Sequence, residues 1–157
     1  MKRIVAAATL ISIIALTSAA WSLNFREAKQ LADQGSSDGQ YLLGRMYYRG
    51  EGVEKNVEEA AKWYALAAAQ GNAQAQIDLG VMYYKGEGVA QDKKKAAEWL
   101  GKAATQGYAE AQFGLGNLYL YGEGVAKNRD EAIVWYKKAA AQGHEQAKQT
   151  LEELEIQ

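Results

Sequence analysis

The residues that could carry catalytic chemistry are few in this sequence and lie far apart along it. The sequence has one histidine, His144, and no cysteine, so a zinc site would need mostly carboxylates, which is uncommon. Beyond residue 20 the serines are Ser22, Ser36 and Ser37, whereas a Ser-His-Asp triad needs its groups within hydrogen-bond distance of one another. These observations argue against an enzyme, and we expect no catalytic residue, no metal ion and no cofactor.

Three Gly-x-Gly loops have the residue types of a phosphate cradle but not its context. They have the sequence Gly-Glu-Gly-Val at 50–53, 86–89 and 122–125. They follow predicted helices rather than strands, and they lack the third glycine of the dinucleotide fingerprint and the P-loop lysine. Glycine relieves the steric cost of a left-handed cap at the end of a helix. We therefore expect capping to account for these glycines completely.

The charge of the chain excludes a strongly basic nucleic-acid-binding protein. Its formal net charge is −1, and charged residues make up 24% of it. The one notable run, Lys93 to Lys95, opens a predicted helix. A short run of this kind is typical of a solvated face, and the alternative is a rim patch that steers an acidic partner. We expect no nucleic-acid partner.

A period of 36 residues organises the sequence and must position whatever site it has. Self-similarity at a fixed period is typical of a repeat array. The repeats are predicted at 37–72, 73–108 and 109–144, with capping helices at 24–36 and 145–157. The period appears in the glycines, tyrosines and tryptophans Gly44, Gly80 and Gly116, Tyr47, Tyr83 and Tyr119, Trp63, Trp99 and Trp135, and Gly71, Gly107 and Gly143.

Each repeat is predicted to hold two helices. Helix A covers 38–49, 74–85 and 110–121, and the Gly-Glu-Gly-Val loop ends it. Helix B begins after Asn56, Asp92 or Asn128, which are good N-cap residues, and it ends at a Gln-Gly pair. The predicted fold is therefore all-α, a right-handed α-solenoid of stacked helix-turn-helix repeats with three full 36-residue units and terminal capping helices.

Two sets of periodic residues are expected to pack the helices together. Gly44, Gly80 and Gly116 lie in the middle of helix A, where glycine costs roughly 1 kcal/mol relative to alanine. This repeated cost favours a close approach to helix B that leaves no room for a Cβ. The tryptophans of helix B are expected to be buried packing anchors between units.

The first twenty residues have the pattern of a secretory signal peptide. Lys2 and Arg3 precede an apolar run from Ile4 to Leu16, and small residues follow at 17–20. Such a segment directs export and is removed, here after residue 19 or 20, and its apolar run is short for a membrane span. We expect a periplasmic or secreted protein of the bacterial cell envelope with no stable membrane span; an uncleaved anchor is the alternative.

The periodic residues resemble the Sel-one-like repeat, a relative of the tetratricopeptide repeat. The pattern is Ala-x-x-x-Leu-Gly-x-x-Tyr-x-x-Gly-x-Gly-Val followed by Asp-x-x-x-Ala-x-x-Trp-x-x-x-Ala-Ala-x-x-Gly. Repeat two matches it from Ala75 to Gly107 and repeat three from Ala111 to Gly143, while repeat one departs at Gly39 and Asn56. The resemblance implies a helical solenoid that acts as an adaptor or scaffold for protein partners. Some similar proteins are immunity proteins.

The predicted binding surface is the inner, concave wall that the A helices form in such a stack. Its positions recur at helical spacing and do not pack on helix B. They differ between repeats and are rich in tyrosine and arginine, which are typical of interfaces. The alternative is that these bulky residues pack between adjacent A helices. The predicted groove residues are Tyr41, Arg45, Tyr48, Arg49, Ile77, Val81, Tyr84, Lys85, Phe113, Asn117, Leu120 and Tyr121.

Three hypotheses for function follow from these patterns. The leading one is a secreted or periplasmic, non-catalytic scaffold that binds a protein or peptide in the concave groove. The second is an immunity or inhibitor protein that neutralises a secreted toxin or hydrolase through the same groove. The third, a cell-wall or β-lactam-related hydrolase, is disfavoured by the missing catalytic residues.

Overall fold

The computed structural model describes residues 24–155. Within this range the chain forms eight α-helices and no strand. The helices are α1 (Phe25–Asp33), α2 (Ser37–Arg49), α3 (Val57–Ala69), α4 (Ala73–Lys85), α5 (Lys93–Thr105), α6 (Ala109–Tyr121), α7 (Arg129–Ala141) and α8 (Glu145–Glu155). The predicted signal peptide lies outside the described residues. None of the helices described is long and apolar enough to cross a membrane.

The helices form three hairpins flanked by two single helices. Each helix packs chiefly on the next helix along the chain, and the contact is most extensive within the pairs α2–α3, α4–α5 and α6–α7. Helix α1 packs on α2, and α8 packs on α7. The fold is therefore the expected all-α solenoid of stacked helix-turn-helix units. Helices α2, α4 and α6 are the A helices, and α3, α5 and α7 are the B helices.

The ends of the helices follow from local capping. The Asn56 side chain accepts a hydrogen bond of 2.9 Å from the backbone N–H of Glu59 at the start of α3. Asp92 and Asn128 cap α5 and α7 in the same way. At the other end of each A helix, a glycine takes the left-handed conformation, as at Gly50 with φ 74°. The predicted starts of the B helices and glycine ends of the A helices are confirmed.

The second glycine of each Gly-Glu-Gly-Val loop has a separate role that capping does not explain. A Cβ on Gly88 would lie 2.5 Å from the carbonyl oxygen of Val57, and one on Gly124 would lie 2.0 Å from that of Lys93. The loops of the second and third repeats therefore touch the first turn of the preceding repeat's helix B, whereas Gly52 in the first loop lies near Phe25 of α1 at an ordinary contact distance. The expectation that capping accounts completely for these glycines is wrong, because the second glycine serves the contact between repeats.

The glycines in the middle of the A helices mark close helix contacts. A Cβ on Gly44 would lie 2.7 Å from the ring of Tyr64, and one on Gly80 would lie 2.9 Å from Leu100 Cγ. These separations are too short for ordinary van der Waals contact. The predicted close approach of helices A and B is confirmed, and the same holds at Gly116 against Tyr136.

The largest buried side chain of each B helix belongs to the residue after the tryptophan. Tyr64 is 3% exposed and Tyr136 is 0% exposed, whereas the tryptophans before them are only partly buried. Trp99 and Trp135 do pack across a repeat boundary, each against the core of the preceding unit. The contacts of Trp99 and Trp135 agree with the prediction of anchors between units, and these anchors are partly rather than fully buried.

A ladder of glutamines joins the start of each A helix to the end of its B helix. Gln40, Gln76 and Gln112 are the buried polar side chains among the described residues. The amide of Gln106 donates a hydrogen bond of 2.8 Å to Gln76 Oε1, and Gln76 in turn donates to the carbonyl of Ala68 in the preceding repeat, at 3.0 Å. Burial of these amides is possible because each of them is hydrogen-bonded.

Candidate protein-binding surface

The predicted groove residues lie on the A helices and are called the A-helix stripe below. Arg49, Lys85 and Tyr121 are exposed, and Tyr121 is the most open of these at 67%. Ile77 is 2% exposed and belongs to the core cluster of α4, α5 and α6. The prediction that the Ile77 side chain faces an open groove is therefore wrong. The other eight stripe residues are partly buried.

Six stripe residues surround one cavity between α2 and α4, with a volume of about 300 Å³. They are Tyr41, Arg45, Tyr48, Arg49, Ile77 and Val81. The other six, which lie nearer the C-terminal end of the array, are not in its lining. The cavity is also lined by Tyr64, Gln74, Asp78, Met82, Glu87 and Glu110. This cavity is the candidate functional site.

A tyrosine on the stripe reaches the loop of the next repeat and fixes one edge of the cavity. The Tyr48 hydroxyl donates a hydrogen bond of 3.0 Å to Glu87 Oε2. The hydrogen bond to Glu87 raises the pKa of Tyr48. The loop glutamate was not predicted as a partner, because the two residues are 39 positions apart.

The same contact recurs one repeat later, where a lysine joins it. The Tyr84 hydroxyl donates to Glu123 Oε2 at 2.6 Å, and Lys93 Nζ lies 2.6 Å from the other carboxylate oxygen. The hydrogen bonds from Lys93 and then Tyr84 lower the pKa of Glu123. Leu120 takes the tyrosine position in the third repeat and packs in the cluster around Tyr136.

Asp78 is the residue of this site that sequence reasoning missed. It lies on α4 beside Ile77, is partly buried, and lines the cavity. Burial raises the pKa of the Asp78 carboxyl, while hydrogen bonds with Tyr41 and Gln74 and the charge of Arg45 oppose that effect. A carboxylate at a position held by leucine or glycine in the other repeats was the available signal.

Tyr41 and Tyr64 form the aromatic floor of the cavity. Their ring centroids are 5.7 Å apart. Burial raises the pKa of Tyr41 to about 12 and also raises the pKa of Tyr64. The Arg45 guanidinium lies 6.0 Å from the centre of the Tyr41 ring, which is within the range of a cation–π contact.

His144, the only histidine, has a structural role in the described fold. Its Nδ1 accepts a hydrogen bond of 3.3 Å from the backbone N–H of Ala147, which caps α8. Its ring stacks on Phe113 with centroids 4.6 Å apart. No group of three or more potential metal-ligating side chains is found among residues 24–155.

A second, larger cavity lies on the B-helix side, between α5 and the third repeat. Its volume is about 490 Å³, and Leu115, Tyr119, Val125 and Trp135 form its apolar wall. Gly101 leaves open space there, since a Cβ at this position would meet no atom within 4 Å. This cavity contains none of the stripe residues.

The fold and the cavity define a helical-repeat protein with a mixed aromatic and charged site on its A helices. The Sel1 repeat model matches residues 37–72, 73–108 and 109–144. Because these matches cover more than half of the chain, the protein belongs to the Sel1 repeat family.

Solved structures with the same fold include close and distant relatives. A Sel1 repeat protein from Oxalobacter formigenes is 44% identical with a TM-score of 0.76, over 82% of this chain and 96% of that one. The Escherichia coli protein c5321, a protective antigen of uropathogenic strains, is 40% identical with a TM-score of 0.76, over 78% of this chain and 26% of that one. Helicobacter pylori cysteine rich protein B shares the fold at 23% identity, with a TM-score of 0.64 over 81% of this chain and 96% of that one.

A curated relative resembles the chain over a single repeat length. The putative sel1-like repeat-containing protein L18 of Acanthamoeba polyphaga mimivirus is 48% identical over 40 residues. The match covers 26% of this chain and 7% of that protein. The chain thus spans only a small part of this relative.

Proposed function

We propose that this chain is a non-catalytic protein-binding scaffold that contacts its partner through the A-helix stripe without the buried Ile77. Sel1 repeats generally mediate protein–protein interactions. The observation that carries the proposal is the cavity between α2 and α4, which gathers two tyrosines and two arginines of the A helix α2 with one tyrosine, Tyr64, of the B helix α3. Tyrosine and arginine are enriched among residues that dominate binding energy, especially where they line a cleft.

The cellular location belongs to the same proposal. The basic residues Lys2 and Arg3, the apolar run and the small residues at 17–20 support export to the periplasm or the medium. Mass spectrometry of the protein from fractionated native cells tests this. We expect a chain that lacks its first 19 or 20 residues in the periplasmic fraction or the medium. An intact N-terminus in the membrane fraction would contradict release from the signal.

Site-specific photo-crosslinking in the native cells tests the binding surface. A benzophenone amino acid replaces Arg49, Lys85 or Tyr121 on the stripe, and in matched controls it replaces Leu66 or Val134, which are exposed on the B helices. We expect one partner protein to crosslink from the stripe positions and not from the controls. A partner that crosslinks only through Leu66 or Val134 would place binding on the other face and overturn the proposal.

The identity of the crosslinked partner then decides between a scaffold and an inhibitor. A toxin or hydrolase whose activity falls when the purified chain is added supports the inhibitor role. A partner with no such activity supports the scaffold role. Both roles use the same surface, so the crosslinking result stands independently of this distinction.

A further inference from the structure

The charges around the cavity between α2 and α4 do not balance within it. Three carboxylates line it, from Asp78, Glu87 and Glu110, against the guanidinium groups of Arg45 and Arg49. Two charged residues at the edge of the cavity form ion pairs with residues outside its lining. Arg49 Nη1 lies 3.4 Å from Glu51, and Lys85 Nζ lies 3.8 Å from Glu87.

With these two outer pairs set aside, the lining of the cavity still carries an excess of one negative charge. Once Arg49 is assigned to Glu51 and Glu87 to Lys85, the lining retains Asp78 and Glu110 against Arg45 alone. Asp78 is the more deeply placed of the two carboxylates, since Glu110 is exposed. The raised pKa of Asp78, caused first by burial, means that its negative charge is incompletely compensated in the unbound protein.

The repeat architecture does not require a carboxylate at this place. The equivalent residues are Leu42 in the first repeat and Gly114 in the third. A partly buried aspartate costs free energy unless an opposite charge is nearby. Asp78 does hydrogen-bond to Tyr41 and Gln74, but a carboxyl group with a perturbed pKa in a cleft, at a position where the other repeats have no carboxylate, is typical of a binding site.

The walls of the cavity are suited to a planar cation. Tyr41, Tyr48 and Tyr64 present aromatic rings to it. Two of these rings already have cations nearby, with Arg45 6.0 Å from the centre of Tyr41 and Lys55 Nζ 5.8 Å from that of Tyr48. A guanidinium group both stacks on aromatic rings and binds a carboxylate through two parallel hydrogen bonds, which an ammonium group cannot do.

We infer that the cavity receives an arginine side chain of the bound protein segment, with the guanidinium paired to Asp78 and stacked on the tyrosine rings. This inference rests on the proposed function, because it names the chemistry that the A-helix stripe recognises. A volume of about 300 Å³ is at the small end of ligand pockets, which suits one side chain rather than a helix.

Peptide titration followed by NMR tests the inference on the full chain. The probes are three blocked tripeptides, acetyl-Gly-X-Gly-amide, in which X is arginine, citrulline or glutamate. Citrulline keeps the shape of arginine and removes its charge. We expect the arginine peptide to shift the amide signals of Tyr41, Tyr48 and Asp78 in a saturable manner. The affinity of the citrulline peptide is expected to be at least tenfold weaker.

Variants locate the interaction on the aspartate. D78N is expected to weaken binding of the arginine peptide at least tenfold. The control D130N, at an exposed aspartate in the first turn of α7, is expected to leave the affinity unchanged. E110Q provides a second test at an exposed site if D78N alters the fold, and a smaller loss of affinity is expected from it.

Several results would overturn the arginine inference. These are equal binding of the arginine and citrulline peptides, tighter binding of the glutamate peptide, unchanged affinity in both D78N and E110Q, and no shifts at millimolar peptide. The proposed function is judged separately by the crosslinks from Arg49, Lys85 and Tyr121. If the stripe positions crosslink a partner but the protein prefers the citrulline or glutamate peptide, the proposed function stands and the arginine inference is wrong.

Discussion

Repeats 1 and 2 have the same helices but fill the space between them with different chemistry. In repeat 1 the residues at three equivalent positions are Tyr41, Arg45 and Tyr64, and in repeat 2 they are Ile77, Val81 and Leu100. The first set is aromatic and polar, and its two rings lie 5.7 Å apart. The second set is aliphatic, and Ile77 and Leu100 share one core cluster.

Repeat 3 has a third combination of residues at these three positions. Its equivalent residues are Phe113, Asn117 and Tyr136, and the Tyr136 hydroxyl donates a hydrogen bond of 2.7 Å to Asn117 Oδ1. The ring of Phe113 lies 5.6 Å from that of Tyr136. A tyrosine on helix B therefore occurs with an aromatic ring and a polar partner on helix A, and a leucine occurs with aliphatic residues. Part of the variation along the A-helix stripe reflects packing within each repeat.

Exchange of residues between the repeats is the strongest test of this matching. L100Y alone should destabilise the protein by about 1–3 kcal/mol, because the larger ring enters a space shaped for leucine. The triple variant I77Y/V81R/L100Y should recover most of that loss, since it rebuilds the set found in repeat 1. Urea unfolding measures both. A triple variant as unstable as the sum of its single substitutions would show that the three positions do not act together.

The glycines at the helix crossings should respond differently in the two repeats. In repeat 1 a Cβ on Gly44 would meet two atoms of the Tyr64 ring, at 2.7 and 2.8 Å. In repeat 2 a Cβ on Gly80 would meet Leu100, whose branched chain can shift more easily. We expect G44A to destabilise by about 1–3 kcal/mol and G80A to destabilise by less. Thermal unfolding measures the difference, and equal losses would contradict it.

The control for this pair lies in the third repeat. A Cβ on Gly114 would lie 3.5 Å from Leu100 Cδ1, which is an ordinary contact. G114A should therefore stabilise the protein by up to about 1 kcal/mol, because alanine is the better helix former. A loss of stability in G114A would indicate that the effect of alanine at these glycines does not depend on the contact distance.

Asp78 should lower stability at neutral pH while it serves binding. Burial raises its pKa in the folded state above the ordinary value of 3.8, so the folded state binds the proton more tightly than the unfolded state. Stability then falls as the pH rises through the ordinary value towards the raised pKa, and the full cost is present above it. D78N should unfold at a higher temperature than the natural protein at pH 7, and this advantage should vanish below pH 3.8. A lower unfolding temperature at pH 7 would contradict this.

Loss of the contacts that Glu123 makes with Tyr84 and Lys93 should have the smallest effect on stability. The pKa of Glu123 is lowered by Lys93 and Tyr84, so Glu123 stabilises the fold above its ordinary pKa, and this contribution is lost as the pH falls through the lowered value. The pair is partly exposed, so E123Q should cost less than about 1 kcal/mol, and the cost should shrink in high salt. Glu87 is the equivalent of Glu123 one repeat earlier, and Val57 stands there at the position of Lys93. The stability cost of E87Q should therefore depend less on salt. The unfolding free energy at low and high salt measures both.

Much of the fold could be predicted because its determinants are local. Asn56 and Gly50 act on the helix turns beside them, so their types and spacing are sufficient. It was harder to predict which aromatic side chain of helix B is buried. Trp63 and Tyr64 are adjacent in sequence and differ in direction by about 100° around the helix. The way α3 packs on α2, with the Tyr64 ring against Gly44, decides which of them enters the core. The sequence pattern favoured the tryptophan, and the structure buries the tyrosine.

The candidate site depends on contacts between repeats, and for this reason it was predicted only in part. Asp78 hydrogen-bonds to Tyr41 of the preceding unit, so the pKa of its carboxyl depends on a residue that is distant along the chain. Tyr48 and Glu87 meet across 39 positions. Helical spacing identified the face that holds Tyr41, Arg45 and Tyr48, but it could not identify the partners that neighbouring helices bring to that face.

The second glycine of each loop has a consequence for how such a chain can change in length. Because Gly88 touches Val57 and Gly124 touches Lys93, the loops of the second and third repeats each depend on contact with the repeat before them. A duplicated or deleted stretch that is not a whole number of periods would separate a glycine from the backbone it contacts. A whole extra unit would carry its own glycine and first helical turn, so the array can be lengthened by one unit without changes elsewhere.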